Sequence, residues 1–210
     1  SLDGFGRFSR SMTSAAGALL AYIELTQKGN LPRLRTLQPV TEAGYMEIDP
    51  ATRRSLEITR TLSGDREGSL LAAIDQTITA GGARLLAQRI GAPLADAAAI
   101  NRRLDLVSWF ATTPDLSETL RSSLKAIPDI DRALSRLSLG HGGPRDLDAL
   151  ARGMLAGSDF VVAAGQNKAR LAPPEDLAGL YDSIMTAAPL ADEMAPALGD
   201  DLPLLARDGG

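Results

Sequence analysis

The feature of this sequence that most constrains its fold is a series of helix-start signals at short intervals. Six of the signals are Asp, Ser or Thr residues, alone or beside a proline, and the seventh is a proline alone: Asp49-Pro50, Ser69, Thr79, Asp96, Pro114-Asp115, Pro128-Asp129 and Pro144. Side-chain oxygens of Asp, Ser and Thr accept hydrogen bonds from the unpaired N–H groups of a first helical turn, and proline fits the first helical position. The series therefore predicts a succession of helices joined by short turns.

Apolar residues after these signals recur at intervals of three and four, which predicts that each helix has one buried face. The predicted buried residues are Ala97, Ile100, Leu104, Val107 and Ala111 after Asp96; Leu116, Leu120 and Leu124 after Pro114; Ile130, Ala133, Leu134 and Leu137 after Pro128; and Leu147, Leu150, Met154 and Val161 after Pro144. The same spacing predicts a first helix over residues 9–28, with Ala16, Leu19, Leu20 and Ile23 buried, and a last helix with Leu177, Leu180 and Ile184 buried. Pro189 and Pro196 are expected to interrupt the chain beyond it, because proline lacks the N–H that a helix interior needs.

The side-chain composition favours helix packing. Hydrophobic residues make up 44% of the chain and aromatic residues only 4%, so the core consists mainly of Leu, Ala, Ile and Val. Such a core suits closely packed helices better than an aromatic-rich sandwich of sheets. We therefore predict an all-α fold, an irregular bundle of many helices, with at most a trace of strand at residues 45–48.

Cysteine content and charge exclude several kinds of site. The chain has no cysteine, which excludes disulfides, thiolate metal ligands and cysteine nucleophiles. Its formal net charge is −4, so it lacks the excess of Lys and Arg that a nucleic-acid-binding surface usually carries. No run approaches the roughly 18 apolar residues of a membrane span. We expect neither membrane insertion nor tight nucleic-acid binding by this chain alone.

No motif predicts a catalytic, cofactor-binding or metal-binding site. His141 is the only histidine, and it lies in a glycine turn with no second ligand or orienting acid close in sequence. We expect it to be a solvated loop residue, because a metal site or a catalytic triad needs several converging groups. The glycine pairs at 81–82 and 142–143 lack the lysine of a phosphate-binding GxxxxGK[ST] loop. We predict no catalytic, cofactor or metal residues.

Three pairs of acidic residues have two possible roles. The pairs are Asp129/Asp131, Asp146/Asp148 and Asp192/Glu193. Two neighbouring carboxylates can serve as general acid and general base. Carboxylates near the first turn of a helix also stabilise that helix through its dipole, and this is the role that we expect for most of them.

Three arginines in the first half of the chain also have two possible roles. Arg53, Arg54 and Arg84 can contact the backbone of DNA, or they can form ion pairs that hold neighbouring helices together. The forked guanidinium group suits ion pairs because it binds a carboxylate through two hydrogen bonds. We expect ion pairs, with Asp49, Glu57 or Asp75 as partners.

Trp109 and Phe110 are adjacent in a chain with few aromatic residues. Together they can form a patch that binds a partner, or they can be buried against the leucine-rich faces of the helices. We expect burial, because large apolar side chains are usually found inside.

Several segments resemble the MutS family of DNA mismatch-repair ATPases in both order and spacing. The segments that resemble the core domain of that family are IDPATRRSLEITRTLSG, SLLAAIDQTITAGGARLL, PLADAAAINRRLDLV and DIDRALSRLSLGHGGPRDL. Near the start, GALLAYIELTQKGNLPRL resembles the last helix of the connector domain that precedes the core. The resemblance covers nearly the whole chain and is strongest over residues 46–147.

The resemblance implies four parts. They are the C-terminal helix of the connector domain at 1–28, a linker at 29–45, the helical core domain at 46–165, and the start of the lever region at 166–210, which ends before the clamp. It also implies that the mismatch-reading domain, the clamp and the ATP-binding domain lie outside this sequence.

The role implied by the resemblance is mechanical. The core and lever would couple mismatched-DNA binding by the clamp and mismatch domains to ATP binding and hydrolysis in the C-terminal domain. ATP and Mg would belong to the full-length protein, a DNA-dependent ATPase, whereas this part is not an enzyme and holds no cofactor. The implied partners are the other domains of the same chain, mismatched duplex DNA, a second copy of the protein and downstream repair proteins, in the cytoplasm.

The alternative to this scaffold is a free-standing helical module that binds a protein partner. An all-helical enzyme has the least support, because no set of titratable residues converges in the sequence. The reading frame beyond Gly210 distinguishes them, since a phosphate-binding loop further on supports the scaffold and a stop codon supports the module. For a scaffold we also expect exposed apolar surface near the first helix and near the C-terminal end, where neighbouring domains would pack.

Overall fold

The computed structural model describes residues 8–27, 34, 44–166, 172–199 and 201–203. Within these residues the chain forms nine α helices: α1 Arg10–Gln27, α2 Pro50–Ser55, α3 Leu70–Ile74, α4 Ala80–Gly91, α5 Ala97–Thr112, α6 Pro114–Leu124, α7 Ile130–Ser138, α8 Pro144–Gln166 and α9 Glu175–Met194. A short 3-10 helix, Ala195–Ala197, follows α9. The predicted all-α fold is confirmed. Most of the linker predicted at 29–45 lies outside the described residues.

The predicted trace of strand is a single point of pairing. Tyr45 forms an isolated antiparallel bridge with Leu94, in the loop between α4 and α5. Beside it, the backbone N–H of Met46 donates a hydrogen bond to the carbonyl oxygen of Pro93 at 2.8 Å. No sheet forms in the part of the chain that the structure describes.

Most helices begin at the predicted residues because capping is a local interaction. The side chains that accept a hydrogen bond from a first-turn N–H are those of Asp49 at α2, Ser69 at α3, Thr79 at α4, Asp96 at α5 and Asp129 at α7. Proline occupies the start of α2 and of α6, where its missing N–H costs nothing. These contacts span only two or three residues, so the sequence alone specifies them.

The second helix is short, with six residues, and it ends where the chain reverses. It ends at Ser55, and Glu57 adopts a left-handed conformation with a φ of 48°. This reversal places Ile58 in the core, where its carbonyl oxygen accepts a hydrogen bond from the N–H of Leu71 at 2.9 Å. Burial of Ile58 and this long-range bond offset the cost of a left-handed non-glycine residue.

The core is organised around α8, which packs against α6, α7 and α9. The buried apolar residues of the described part are Ile58, Leu71, Leu116, Ala133, Ala151, Phe160, Leu177 and Ala191. The buried residues of α8 are Ala151, Gly153 and Phe160, in the middle of the helix. Because α8 is the longest helix described, it connects the helices before and after it into one packed unit.

The buried face of α5 differs from the predicted one. Leu104 and Val107 are 53% and 64% exposed, whereas Leu106, Trp109 and Phe110 are half-buried. The helix has apolar residues on two sides, and α6 is its main packing partner. An aromatic side chain buries more apolar area than Val, so the aromatic side turns inward. Trp109 and Phe110 are therefore only partly buried, where burial was expected. Their rings meet edge to face, with 5.0 Å between the ring centroids.

Several other leucines that were predicted to be buried are exposed. They are Leu19 and Leu20 of α1, Leu134 of α7, Leu147 of α8 and Leu180 of α9. Helical spacing identifies an apolar stripe but does not show how wide a part of it a neighbour covers. These predictions were wrong because the apolar stripe of each helix is wider than the part of it that neighbouring helices cover within the described residues.

The expected exposure of apolar surface at the two ends is observed. In α1, the exposed apolar residues include Leu19, Tyr22 and Leu25, the last of them 79% exposed. In α9, Leu180, Met185 and Leu190 are exposed. Apolar patches of this kind typically mark contacts with other protein surface.

Pro189 does not end the last helix, contrary to the prediction. It lies inside α9, which continues to Met194. Ala191, two residues later, is completely buried, and Leu177 at the other end of the helix is buried as well. Because α9 packs on α8 and has buried residues before and after the proline, this burial offsets the hydrogen bond that Pro189 cannot donate.

A first prediction concerns the turn between α7 and α8. A Cβ atom on Gly142 would lie 2.7 Å from the Cα atom of Leu137 and 2.6 Å from its Cγ atom. Since backbone has to move to relieve this contact, Gly142→Ala is expected to lower the free energy of unfolding by about 2 kcal/mol. Urea denaturation measures the change, and Gly44→Ala, where an added Cβ has no atom within 4 Å, is the control. Equal midpoints for the two variants would contradict the prediction.

Candidate functional site

The most connected group of charged side chains joins α4 to α7. The guanidinium of Arg84 donates hydrogen bonds to both carboxylate oxygens of Asp129, at 2.8 and 2.7 Å, and one to Asp131 at 3.2 Å. We call these three residues the Arg84 bridge. Asp129 also caps α7, accepting the N–H of Arg132 at 3.3 Å. One carboxylate therefore both starts α7 and holds it against α4.

Arg84 and Asp129 both stay charged over a wide range of pH. The hydrogen bond from Arg84 lowers the pKa of Asp129 to about 2, against partial desolvation, which acts in the opposite direction. The same hydrogen bond raises the pKa of Arg84 above its ordinary value. A carboxyl group that stays ionised at neutral pH cannot supply a proton as a general acid, so the arrangement is suited to holding helices together.

A second prediction follows for the pH dependence of stability. The pKa of Asp129 is 3.8 in its unperturbed state and about 2 in the fold, so the ion pair of Arg84 with Asp129 contributes fully above about pH 4 and is lost as the pH falls toward 2. Arg84→Ala is therefore expected to be less stable than the parent at pH 7, with a difference that shrinks below pH 4. Urea denaturation of both proteins at pH 7, 5, 3 and 2 measures this difference in stability.

The control for this variant is Arg89→Ala, because Arg89 is also exposed on α4 and forms no ion pair within the described residues. Its stability is expected to track that of the parent at every pH. If the loss of stability in Arg84→Ala stayed constant down to pH 2, ionised Asp129 would not be the partner through which Arg84 stabilises the fold.

Other arginines attach separate segments through carbonyl oxygens. Arg53 on α2 donates a hydrogen bond to the carbonyl oxygen of Gly91, at the C-terminal end of α4, where the helix dipole attracts a cation. Arg121 on α6 donates to the carbonyl oxygen of Gln76 at 3.1 Å, in the loop before α4. Arginine side chains thus connect α2 to α4, and α6 to the loop before α4.

The predicted partners of the arginines were wrong, although the predicted kind of contact exists. Asp49 binds the N–H groups of its own helix start, and Glu57 accepts the N–H of Leu62 at 2.6 Å. Asp75 pairs with Arg66, which the sequence did not single out. Arg54 forms no ion pair within the described residues.

The remaining acidic pairs lie at helix ends or on helix surfaces. Asp146, in the first turn of α8, accepts the N–H of Gly143 at 2.9 Å and contacts Arg136 at 3.2 Å, and these bonds lower its pKa. Asp148 pairs with Arg152 one turn later. Asp192 and Glu193 are exposed near the C-terminal end of α9, not in a first turn. Within the described residues, Asp146 and Asp148 each pair with an arginine.

His141 is an exposed residue of the turn between α7 and α8. Its backbone carbonyl oxygen accepts a hydrogen bond from Arg136 at 3.0 Å. Across the described ranges, no group of three or more His, Asp or Glu side chains has the geometry to hold a metal ion. The absence of cofactor and metal residues remains a prediction for the chain as a whole.

One feature that the sequence did not reveal is an open depression of about 450 Å³ beside α2. We call it the basic depression. The residues that line it are Pro50, Arg53, Arg54, Thr59, Arg60, Thr61, Leu62, Ser63 and Gly64. Three arginines and three hydroxyl groups face one space, with no carboxylate among the lining residues. Arg60 was missed because it becomes a neighbour of Arg53 and Arg54 only when the chain reverses at Glu57.

No helix in the described part of the chain combines the length and the apolar character that crossing a membrane requires. A family model described as MutS domain III matches residues 51–210.

Three curated relatives, each named DNA mismatch repair protein MutS, align with the whole of this chain. They come from Rhodopseudomonas palustris (strain HaA2), 50% identical over 214 residues; Caulobacter sp. (strain K31), 49% over 217 residues; and Caulobacter vibrioides (strain ATCC 19089 / CIP 103742 / CB 15), 48% over 215 residues. The alignments cover 100% of this chain but only 23 or 24% of each relative. The helical fold and the match over most of its length together show that this chain belongs to the MutS domain III family.

Proposed function

We propose that this chain is the core and lever region of a DNA mismatch-repair ATPase, where it couples mismatched-DNA binding to ATP binding and hydrolysis in other domains. Support comes from the family match over residues 51–210 and from relatives named DNA mismatch repair protein MutS. The chain spans less than a quarter of the length of these relatives, which leaves room for separate DNA-binding and ATP-binding domains.

The observation that carries this proposal is the Arg84 bridge, which joins residues 45 positions apart on two helices. Coupling between distant sites needs packed elements that move as units and have two discrete arrangements. The Arg84 bridge connects α4 to α7, and α7 packs on α8, the longest helix described. An exposed ion pair can exchange partners at small cost, so a bridge of this kind can hold one arrangement and release it.

In this proposal residues 1–28 end a connector domain, 29–45 form a linker, 46–165 form the core and 166–210 begin the lever. ATP and Mg bind in a separate C-terminal domain, and this region is not itself an enzyme. Its partners are the other domains, mismatched duplex DNA, a second copy of the protein and downstream repair proteins, in the cytoplasm.

The test introduces Arg84→Ala into a full-length protein that carries this region. Basal ATP hydrolysis is expected to persist, because Arg84 lies outside the nucleotide site, whereas stimulation by mismatched duplex is expected to fall several-fold. Arg89→Ala, on the same helix and also exposed, is expected to keep normal stimulation. Unchanged stimulation in Arg84→Ala, with normal folding, would refute the coupling role.

A second candidate function is a free-standing module that binds a helical partner. The exposed apolar residues of α1, Leu19, Tyr22 and Leu25, favour it. The nucleotide sequence beyond Gly210 discriminates, because a downstream phosphate-binding loop supports the scaffold and an immediate stop codon supports the module.

A further inference from the structure

We propose that the basic depression binds a phosphate group, carried either by a nucleotide or by a nucleic-acid backbone. The proposal is independent of the coupling role, because it rests on the side chains around one space and not on any motion of the helices.

The positive charge in the basic depression is not neutralised by its neighbours. Arg53 and Arg60 each donate a hydrogen bond to a backbone carbonyl oxygen, that of Gly91 and that of Gly64, the latter at 2.8 Å. A carbonyl oxygen satisfies an N–H group but carries no net charge. Arg54 forms no ion pair within the described residues. Three guanidinium charges therefore share one space without a bound carboxylate.

The acidic side chains that flank the lining residues in sequence are engaged in local bonds. Asp49 accepts the N–H groups of Ala51 and Thr52 at 2.9 and 3.0 Å. Glu57 accepts the N–H of Leu62, and Asp65 accepts the hydroxyl of Ser63 at 2.9 Å. These bonds hold the carboxylates in the cap of α2 and in the following turn, and within the described residues none of them forms an ion pair with Arg53, Arg54 or Arg60. An anion from outside the chain is therefore the natural counter-charge.

The donors around the space match a phosphate group in number and kind. Guanidinium groups bind phosphate oxygens through paired hydrogen bonds, and charge-assisted bonds of this type are the strongest available to a side chain on a surface. Thr59 adds a half-buried hydroxyl that makes no hydrogen bond with other described residues. The volume of about 450 Å³ is ample for a phosphate or a diphosphate.

Two of the arginines are already held in position. Arg53 is tied to the end of α4, and Arg60 spans the turn that ends at Gly64. Because these side chains are partly ordered before binding, less conformational entropy is lost when an anion binds. The chain as a whole is acidic, with a net charge of −4, so phosphate binding is expected to be confined to this depression.

The test is an NMR titration of the 210-residue chain with sodium pyrophosphate, compared with sodium chloride at equal ionic strength. We expect saturable shifts of backbone amide signals at residues 53–64 with pyrophosphate and none of comparable size with chloride. The double variant Arg54→Gln/Arg60→Gln is expected to weaken binding about tenfold, because it removes charged donors. It keeps Arg53, whose bond to Gly91 supports the fold.

The matched control is Arg89→Gln/Arg102→Gln, which removes the same total charge from exposed positions outside the basic depression. It is expected to change the affinity by about twofold at most, since distant surface charges are screened. Equal weakening in both double variants, or no saturable shifts at residues 53–64 in the parent chain, would overturn the proposal.

Two further titrations identify the source of the phosphate. If ATP competes with pyrophosphate at residues 53–64 and a short duplex does not, the depression binds a nucleotide. If the duplex competes and its binding weakens steeply with salt, the depression binds a nucleic-acid backbone. Failure of both to compete with pyrophosphate would overturn the assignment to either source.

Discussion

Gly153→Val is expected to lower the free energy of unfolding by about 3 kcal/mol, because the contact between α7 and α8 has no room for a side chain. A Cβ atom on Gly153 would lie 2.5 Å from both the Cδ1 and the Cγ1 atoms of Ile130. Rotating the end of the Ile130 side chain cannot relieve a clash at Cγ1, so the helices would have to separate. The substitution would also strain the neighbouring Asp129, which belongs to the Arg84 bridge.

The control for Gly153→Val lies on the same helix. An added Cβ on Gly165 has no atom within 4 Å, and valine is slightly better than glycine in a helix, so Gly165→Val is expected to change stability by about 0.5 kcal/mol at most. Urea denaturation followed by circular dichroism measures both variants. Similar midpoints for the two would show that α7 and α8 do not approach as closely as described.

A compensating change provides a sharper test of the same contact. Ile130→Ala removes the atoms that Gly153→Val would meet, so the double variant is expected to be more stable than the sum of the two single losses predicts. Additive losses would mean that the valine is destabilising for a reason other than its contact with Ile130.

Phe160→Ala is expected to have a similarly large effect, a loss of about 4 kcal/mol in the free energy of unfolding. Phe160 is 7% exposed and lies in the contact between α8 and α9. Its ring meets that of Tyr181 edge to face, with 5.8 Å between the ring centroids. Truncation to alanine would leave a cavity and remove this aromatic contact. Val162→Ala, at a 50% exposed position of α8, is expected to change stability by about 0.5 kcal/mol at most.

Tyr181 offers a second readout for Phe160→Ala. Burial raises the pKa of its hydroxyl above the ordinary 10.0. If truncation of Phe160 admits water between α8 and α9, this pKa is expected to fall toward 10.0, which absorbance at alkaline pH detects. A normal unfolding midpoint together with an unchanged tyrosine titration would show that Phe160 does not hold the two helices together.

Together these two variants test whether α7, α8 and α9 form one mechanical unit. Gly153 fixes how closely α7 approaches α8, and Phe160 fixes the contact of α8 with α9. The only tryptophan of the sequence, Trp109, lies in α5. Its fluorescence therefore reports on a different part of the fold from these two contacts. If fluorescence and circular dichroism show the same midpoint in each variant, the helices unfold cooperatively.

The glycines show where sequence-based prediction reached its limit. The glycine turn at residues 140–143 was predicted, and Gly140 has the positive φ of 70° that favours glycine. Gly142 is required for another reason, the close approach of Leu137, and Gly153 lies inside a helix, where glycine has no local advantage. Only the distance to a second segment explains these two positions.

The arginines show the same limit for the charged residues. Helix caps such as that of Asp49 could be predicted because donor and acceptor lie two or three residues apart. The partner of Arg84 lies 45 residues away, and Arg53 reaches a carbonyl oxygen 38 residues away. Many carboxylates are compatible with a given arginine in sequence, and the fold selects among them.

The sequence by itself determined the helical class, the start of most helices and the membership of the MutS domain III family, because capping bonds and characteristic segments are local properties of the chain. Only the tertiary structure decided which side of α5 faces inward, that Pro189 is tolerated inside α9, and that three arginines line one depression. The physical reason is that burial and ion pairing depend on the distance between segments far apart in sequence, and that distance is set by the packing of all the helices at once.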